Sequence, residues 1–203
     1  MKILNLYAGI GGNRKLWTEG HEITAVELDS DIAKIYGDLF PNDNLIIGDA
    51  HEYLRKHYAE FDFIWTSPPC QSHSSFRQNI CVRYRGTEAV YPDMKLYQEI
   101  LFLKHNFKGI WVVENVKPYY EALIKPNYVL QRHYFWSNVI VPDKDFEKDV
   151  IRKAQIPDLE KKHGYDLSKY RLKNKRQVLR NCVSPERGMY ILQHSEPRKA
   201  SQS

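Results

Sequence analysis

The sequence predicts an α/β fold built on a doubly wound, mostly parallel sheet. Short apolar runs alternate along the first half of the chain with stretches that carry helical signals. Repeated strand–helix units form parallel sheets through right-handed crossovers. The chain has 203 residues, of which 42% are hydrophobic, so it is long enough to bury one real core.

The individual elements follow from these runs in order. A strand over residues 3–7 ends in glycines, and a helix over 13–19 can follow. Asp29 or Ser30 can cap the next helix, which runs through Phe40 and is ended by Pro41. The remaining predicted strands cover residues 23–26, 45–47, 61–65 and 109–113, and the remaining predicted helices cover 50–58 and 93–106.

Two regions depart from this alternation. Between Pro68 and about Tyr91 neither the helical nor the strand period is clear, and so long an irregular loop is unusual in a compact domain unless it has a function. Beyond Asn138 the chain is charged and weakly periodic. It then gives a clear helix start at Ser184-Pro185-Glu186.

Composition argues against several classes of protein. No apolar run approaches the roughly 20 residues that a membrane span needs, and the N-terminus lacks the layout of a signal peptide. The three cysteines, Cys70, Cys81 and Cys182, form no C-x-x-C pair, which argues against a disulfide scaffold or a zinc site. We therefore expect a cytoplasmic protein with no membrane partner and no metal.

The net charge of +5 is unevenly distributed. Residues 161–180 contain eight basic side chains and one acid, Asp166. A solvated basic face would explain this run, and so would contact with an anionic polymer, which is the interpretation we favour.

A glycine turn and two carboxylates stand at successive predicted strand ends. The turn is Tyr7-Ala8-Gly9-Ile10-Gly11-Gly12, where glycines let a ligand approach the main chain. Glu27 can bind the hydroxyls of a ribose, and Asp49 can accept from an adenine amino group. A plain tight turn and solvated acids are the alternative. The turn lacks the third glycine of a dinucleotide fingerprint and any G-x-x-x-x-G-K, so a nucleoside without a pyrophosphate fits better.

Cys70 is the candidate nucleophile. The fourth predicted strand delivers Pro68-Pro69-Cys70-Gln71 to the same sheet edge, and two prolines present the thiol from a rigid backbone. The fifth strand ends in Glu114-Asn115-Val116, which places a carboxyl beside it. Most buried cysteines are inert packing. The strand-end position, the prolines and the neighbouring acid favour a catalytic role here.

Taken together, these motifs resemble the S-adenosylmethionine-dependent DNA cytosine-5 methyltransferases. Two later segments extend the resemblance to about Leu192: residues 130–135, similar to the family's arginine-bearing strand, and residues 176–185, similar to its C-terminal cofactor-side motif. The resemblance implies a Rossmann-like methyltransferase fold with a small C-terminal extension, S-adenosylmethionine as cofactor, and double-stranded DNA as partner. The small size of the chain would fit an enzyme of a phage or mobile element in a bacterial cytoplasm, with or without a companion restriction enzyme.

The resemblance assigns roles to individual residues. Cys70 would attack carbon 6 of cytosine, Glu114 would interact with ring nitrogen 3, and Arg132 would hold the carbonyl oxygen of the base. The target base must be flipped out of the duplex. The predicted cofactor-binding residues are Tyr7, Gly9, Gly11, Gly12, Glu27, Leu28, Asp49, Ala50, Pro69, Asn181 and Val183. The predicted DNA-binding residues are Gln71, Ser72, Ser74, Arg77, Arg83, Arg85, Lys173 and Lys175.

The chain departs from the family pattern at three places. Tyr128 and Leu130 stand where the family's arginine strand carries a glutamine and a first arginine, and Arg180 precedes Asn181 where the family has glycine. The family's variable recognition domain is also reduced. We predict a catalytic domain over residues 1–138, a short DNA-contact segment over 139–175, and a returning C-terminal motif and helix over 176–203. Relaxed specificity, a loop-based reader and a partner subunit all remain open, as does a monomeric state.

Two other functions remain open from the sequence. An exocyclic amino-methyltransferase would explain Ser67-Pro68-Pro69, but Cys70 stands where those enzymes carry an aromatic residue. A catalytically inactive DNA-binding relative would explain the reduced recognition region, but it would need neither Cys70 nor Glu114.

Overall fold

A computed structural model describes residues 1–18, 20–147 and 154–195. Within these residues seven strands form one sheet in the order β3-β2-β1-β4-β5-β7-β6. Strands β1 to β5 pair in parallel, and β7 runs antiparallel to both β5 and β6. The strands are β1 Lys2–Leu6, β2 Glu22–Glu27, β3 Asn44–Ile47, β4 Phe63–Thr66, β5 Ile110–Val116, β6 Tyr128–Leu130 and β7 His133–Ser137. The predicted doubly wound, mostly parallel fold is confirmed.

The described helices surround this sheet. Helix α1 begins where predicted, because the Asp29 carboxylate accepts hydrogen bonds from the backbone amides of Asp31 and Ile32, and it ends before Phe40. The helices are α1 Ser30–Leu39, α2 Ala50–His57, α3 Arg83–Arg85, α4 Lys95–Asn106, α5 Ile156–His163, α6 Lys175–Asn181 and α7 Pro185–Ser195; a 3-10 turn at Tyr58–Glu60 follows α2 and a π-helical turn at Arg77–Val82 precedes α3.

The sheet is covered on both faces. On one face, side chains of α2 and α4 such as Leu54 and Leu103 pack on Leu4 and Ile64. On the other face, Ile191 and Leu192 of α7 pack on Phe63 and Trp65, with Trp17 and Val141 completing the cluster. Apolar side chains that point to either face of the sheet are therefore covered by apolar neighbours, as the uninterrupted apolar runs of the strands predicted.

The segment before α7 packs against the glycine turn. Leu159, Leu167 and Leu179 form a buried cluster with Ile10 and Ile35 of the main domain. The hydroxyl of Tyr165 donates to the backbone carbonyl of Gly11 at 3.0 Å. The described part of this segment therefore shares one buried apolar cluster with the residues around the glycine turn and α1.

Several local predictions differ from the structure. Residues 13–16 form turns instead of a helix, and Asn13 is buried with its amide donating to Asn5 at 2.8 Å, while residue 19 lies outside the described residues. The loop expected between Pro68 and Tyr91 contains the helical turns at 77–85. Residues 148–153 and 196–203, parts of two predicted segments, also lie outside the described residues. In the described part of the chain, no helix has the length and apolar character to cross a membrane.

Candidate active site

The carboxyl ends of β1, β4 and β5 open into one cavity of about 550 Å³. Ligands of open α/β sheets bind along this edge. The glycine turn, the Cys70 loop, Glu114, the β6–β7 turn and the chain around Asn181 all contribute to its lining. A smaller cavity of about 390 Å³ is lined by Leu28, Asp49 and Ala50. Both cavities include Tyr7, Glu27, Asp29 and Pro69, so they adjoin.

The glycine turn approaches two other parts of the chain closely. Gly9 and Gly11 have φ values of 56° and 78°, which favour glycine. A Cβ atom on Gly12 would overlap Cys182 Sγ and the carbonyl of Val183, and one on Gly11 would overlap the Phe40 ring, whereas one on Gly9 would meet no atom within 4 Å. The absence of a side chain at Gly12 therefore lets Cys182 and Val183 pack against the turn. Gly11 in the same way makes room for the Phe40 ring and does not line the cavity, whereas Gly9 faces open space.

The two strand-end acids are held in fixed orientations. The Glu27 carboxylate accepts from the backbone amides of Gly9 at 2.8 Å, Leu28 at 2.9 Å and Asp29 at 3.0 Å. Asp49 caps α2 through one oxygen, and its other oxygen lies 3.3 Å from Lys95 Nζ. Two fixed carboxylates suit hydroxyl and amino donors and would repel a phosphate. These two acceptor carboxylates and the open space at Gly9 fit an adenosyl ligand, for which Glu27 and Asp49 would be the polar contacts.

Tyr7 has a second set of contacts beneath the turn. Its backbone is left-handed, with a φ of 55°, and its hydroxyl donates to Glu99 at 2.6 Å. Glu99 is fully buried and also contacts His51 Nδ1 at 3.0 Å and accepts from Thr66 Oγ1 at 2.6 Å. The hydrogen bond to Glu99 raises the pKa of His51. This network joins the turn to α2, α4 and β4.

The Cys70 loop is fixed from the neighbouring strand. Asn115, which is 1% exposed, donates from its side chain to the carbonyl of Pro68 at 2.9 Å. Burial and, to a smaller extent, nearby Glu114 raise the pKa of the Cys70 thiol to about 11, against the opposing charge of Arg132. Cys70, Glu114 and Arg132 thus line the same cavity, close enough for the two charged side chains to affect the pKa of the thiol.

Glu114 is nearly completely enclosed. Its exposed fraction is 6%, and burial raises its pKa, against the opposing effects of a hydrogen bond with Ser67 and of the charges of Arg187 and Arg132. Burial of this kind shifts a carboxyl toward its neutral form, in which it can donate a hydrogen bond.

Arg132 lies in the turn between β6 and β7 and not within a strand. The turn places Gln131 at a φ of 56°, and Arg132 Nη2 donates to the carbonyl of Arg180 at 3.3 Å. Tyr128, at the position of a missing family residue, stacks on Phe135 with ring centroids 5.2 Å apart. The guanidinium thus reaches the cavity from a hairpin end and is braced by the C-terminal motif.

The loop that follows Cys70 has an anchored base and an exposed tip. His73 is buried, contacts the Tyr120 hydroxyl at 2.6 Å and the Asp93 carbonyl at 3.1 Å, and its burial lowers its pKa. Two residues that were predicted to contact DNA form hydrogen bonds within the protein here. The Ser72 hydroxyl accepts from the Asp93 backbone amide, and the Ser74 hydroxyl accepts from the Arg77 backbone amide. Arg83 and Arg85 are exposed, with Tyr84 between them.

The remaining predicted residues fall into two groups. Gln71, Lys173 and Asn181 are exposed and line the larger cavity, and Val183 lines it too. Lys175 is partly buried and donates to the Leu167 carbonyl at 2.6 Å, which gives it a structural bond. Arg77 donates to the Glu88 carbonyl at 3.0 Å across the loop.

Sequence reasoning missed two buried residues behind Glu114. His133 follows Arg132 in the chain, and its Nε2 lies 3.4 Å from Glu114 Oε1. Arg187 of α7 is 2% exposed, and its Nη1 lies 2.6 Å from His133 Nδ1. His133 lies within residues 130–135 at the start of β7, and Arg187 lies in the first turn of α7, but no sequence pattern assigned either side chain a role of its own. No group of three or more potential metal ligands occurs among the described residues.

Comparison with known proteins gives one family and several distant structures. The model of the C-5 cytosine-specific DNA methylases matches residues 1–122. DNMT2 of Spodoptera frugiperda is 28% identical, with a TM-score of 0.40, and the match covers 57% of this chain and 35% of that one. A protein assigned as a DNA modification methyltransferase of an Escherichia coli prophage is 21% identical, with a TM-score of 0.37, over 60% and 34% of the two chains.

A SAM-dependent methyltransferase of Agrobacterium tumefaciens is 16% identical, with a TM-score of 0.38, over 59% of this chain and 40% of that one. The matched region thus spans about a third of the length of DNMT2. No curated protein matches the sequence. Because these TM-scores are low, the family assignment rests on the family model.

Proposed function

Because the chain belongs to the C-5 cytosine-specific DNA methylase family, we propose that it transfers a methyl group from S-adenosylmethionine to carbon 5 of cytosine in DNA. The observation that carries the proposal is the convergence of Cys70, Glu114 and Arg132 on one cavity beside the glycine turn. The family accounts for the predicted cofactor, and the fixed acids Glu27 and Asp49 fit its adenosyl part.

Carbon 5 of cytosine is a poor nucleophile, so the reaction needs covalent help. The Cys70 thiol loses its proton to solvent and adds to carbon 6 as the thiolate, and the electron pair of the 5,6 double bond moves toward carbon 5. Glu114 donates to ring nitrogen 3 and stabilises the charge that develops there. The cofactor supplies an electrophilic methyl group on a sulfonium. Once carbon 5 has taken the methyl group, its proton leaves to solvent and the electron pair of that C–H bond re-forms the 5,6 double bond. The Cys70–carbon 6 bond breaks with its electron pair returning to sulfur, and the proton on ring nitrogen 3 returns to Glu114.

The cytosine must leave the duplex to reach Cys70, because carbon 6 is stacked inside B-form DNA. We assign the loop after Cys70 to the closing step. Its base is fixed through His73, while the tip presents Arg83, Tyr84 and Arg85 to solvent. An anchored base with a basic, aromatic tip suits a loop that moves over an extruded nucleotide.

The three-part division of the chain extends this proposal. Residues 1–138 carry the chemistry, residues 139–175 contribute phosphate contacts, and the C-terminal motif with α7, Pro185–Ser195, returns to the cofactor side. Lys173 supports the role of the middle segment, since it is exposed at the cavity. Phosphate contacts position a protein on DNA without specifying sequence, so base readout falls to the Cys70 loop or to a further partner.

The test is methyl transfer from radiolabelled S-adenosylmethionine to unmodified duplex DNA, followed by base analysis. We expect label in 5-methylcytosine. The C70A variant should lose the activity, and C81A, which changes a cysteine outside the cavity lining, should keep it. Label in an amino-methylated base, or no transfer with any duplex, would overturn the proposal. DNA containing 5-fluorocytosine should trap the wild type covalently, and an adduct with C70A would exclude Cys70 as the nucleophile.

A further inference from the structure

The first turn of α7 places a buried cation behind the candidate active site. Gly188 packs so closely on the backbone of Asn13 that a Cβ atom there would overlap it, which fixes the helix against the turn region. Arg187, the preceding residue, consequently points into the protein and is 2% exposed. Its Nη1 lies 2.6 Å from His133 Nδ1. His133 in turn stands at the start of β7, beside β5 and Glu114.

This contact favours one tautomer of the imidazole. A guanidinium has donors and no acceptor, so His133 Nδ1 must offer its lone pair to Arg187. A neutral imidazole that accepts at Nδ1 carries its proton on Nε2. Nε2 is the atom that lies 3.4 Å from Glu114 Oε1. The imidazole therefore presents an N–H, and not a lone pair, to that carboxyl oxygen.

We propose that Arg187 and His133 are positioning residues that fix which oxygen of Glu114 carries the acidic proton. With an N–H facing Oε1, that oxygen acts as the acceptor, and the proton of the neutral carboxyl resides on Oε2. Oε2 is then the atom that donates to ring nitrogen 3 of the extruded cytosine. This inference rests on the proposed function for its catalytic consequence, while the tautomer of His133 is a property of the protein alone.

The direct test is nitrogen NMR of the protein labelled with ¹⁵N-histidine at pH 7.5. His133 is assigned as the signal pair that H133Q removes. We expect a neutral ring with an unprotonated Nδ1 and a protonated Nε2, and in R187M we expect this tautomer preference to weaken or reverse. A proton on Nδ1 in the wild type, or a doubly protonated ring, would overturn the inference whether or not the protein methylates DNA.

Kinetics provide the second test. R187M should lower kcat about tenfold or more, because a misplaced catalytic proton is costly, while the KM for S-adenosylmethionine stays within about twofold. R187K, which keeps a charged donor, should recover part of the rate. H133Q can still donate from Nε2 and should be faster than H133L. S195A removes a buried hydroxyl from the same helix and serves as the matched control for folding.

The outcomes separate the two proposals. A wild type that transfers no methyl group to DNA refutes the proposed function, and the NMR result still decides the tautomer. An active wild type with R187M and H133L that are folded and equally fast refutes the positioning role and leaves the methyltransferase intact. Equal losses in S195A and R187M, with matching losses of stability, would also refute it, because general destabilisation would explain the rates.

Discussion

Among the individual residues, the candidate nucleophile Cys70 has a thiol that burial keeps protonated, and a protonated thiol is the unreactive form. Burial and the neighbouring Glu114 raise the pKa of Cys70 to about 11, so the thiol is protonated near neutral pH. Arg132 acts in the opposite direction. Burial also raises the pKa of Glu114. In the free protein burial therefore shifts both groups toward their uncharged forms.

The pH dependence of alkylation tests this state of Cys70. Because the pKa is raised, the thiolate fraction should increase about tenfold for each pH unit between pH 7 and 9 without a plateau. The alkylation rate of Cys70 by iodoacetamide, followed by peptide mass spectrometry, should show the same slope. R132A should be slower than the wild type at every pH, since it removes the charge that favours the thiolate. A plateau below pH 9 would show that the thiol is activated in the free protein.

At the scale of the element, the glycine turn is held from below by a side chain of α4. Tyr7 adopts a left-handed backbone that costs a non-glycine residue about 1 kcal/mol or more. Its hydroxyl is fixed on Glu99, which also serves His51 and Thr66. Since Tyr7 lines both cavities, Glu99 connects the packing of α4 to the ligand edge of the sheet.

We expect E99Q to weaken this connection. A glutamine has one acceptor oxygen for the three groups that Glu99 now contacts, so at least one buried donor loses its partner. The free energy of unfolding, measured in urea, should fall by about 1–3 kcal/mol. Affinity for S-adenosylmethionine, measured by calorimetry, should fall as well, because a neutral amide accepts the Tyr7 hydroxyl proton more weakly than the carboxylate does.

The matched control is T66V. It removes a hydrogen bond to the same carboxylate from a strand residue outside both cavities. T66V should therefore lower stability without changing cofactor affinity. If E99Q and T66V changed the affinity equally, the Tyr7 contact would not be the connection.

Elements were predictable from the sequence where a local signal decides them. The Asp29 cap and Pro41 predicted α1, and Ser184-Pro185 predicted the start of α7. The predicted helix at 13–19 was wrong for its described part because the Asn13 side chain pairs with Asn5 in the core, a tertiary effect. Strand ends predicted Cys70 and Glu114 as neighbours, since adjacent parallel strands end at one edge.

Contacts between residues that lie far apart in the chain could not be predicted from local sequence signals. Arg187 reaches His133 over 54 positions, and Glu99 reaches Tyr7 over 92. Both depend on how α7 and α4 lie against the sheet, and helix placement is decided by the packing of whole faces. A buried arginine or glutamate has no local signature that separates it from the exposed ones on neighbouring turns.

At the scale of the whole molecule, one side of the cavity is built by the basic segment 161–180. Its apolar residues pack on Ile10 and Ile35, so the segment holds its charges in place beside the active site. The ammonium group of Lys175 donates a hydrogen bond to the backbone carbonyl of Leu167, whereas Lys173 is exposed at the cavity. The two lysines, predicted together as DNA contacts, should therefore behave differently.

We expect K173Q to weaken binding to duplex DNA at low salt and to reduce the dependence of binding on salt. Each phosphate contact that is lost lowers the slope of log K against log salt by about 0.9. K175Q should lower the stability of the protein, through the bond to Leu167, more than it changes this slope. K104Q is the surface control, because Lys104 is exposed near the C-terminal end of α4, which leads to the start of β5 at the opposite edge of the sheet. Fluorescence anisotropy at several salt concentrations measures all three slopes. Equal slopes for K173Q and K104Q would remove Lys173 from the DNA interface and leave the exposed arginines of the Cys70 loop to hold the duplex.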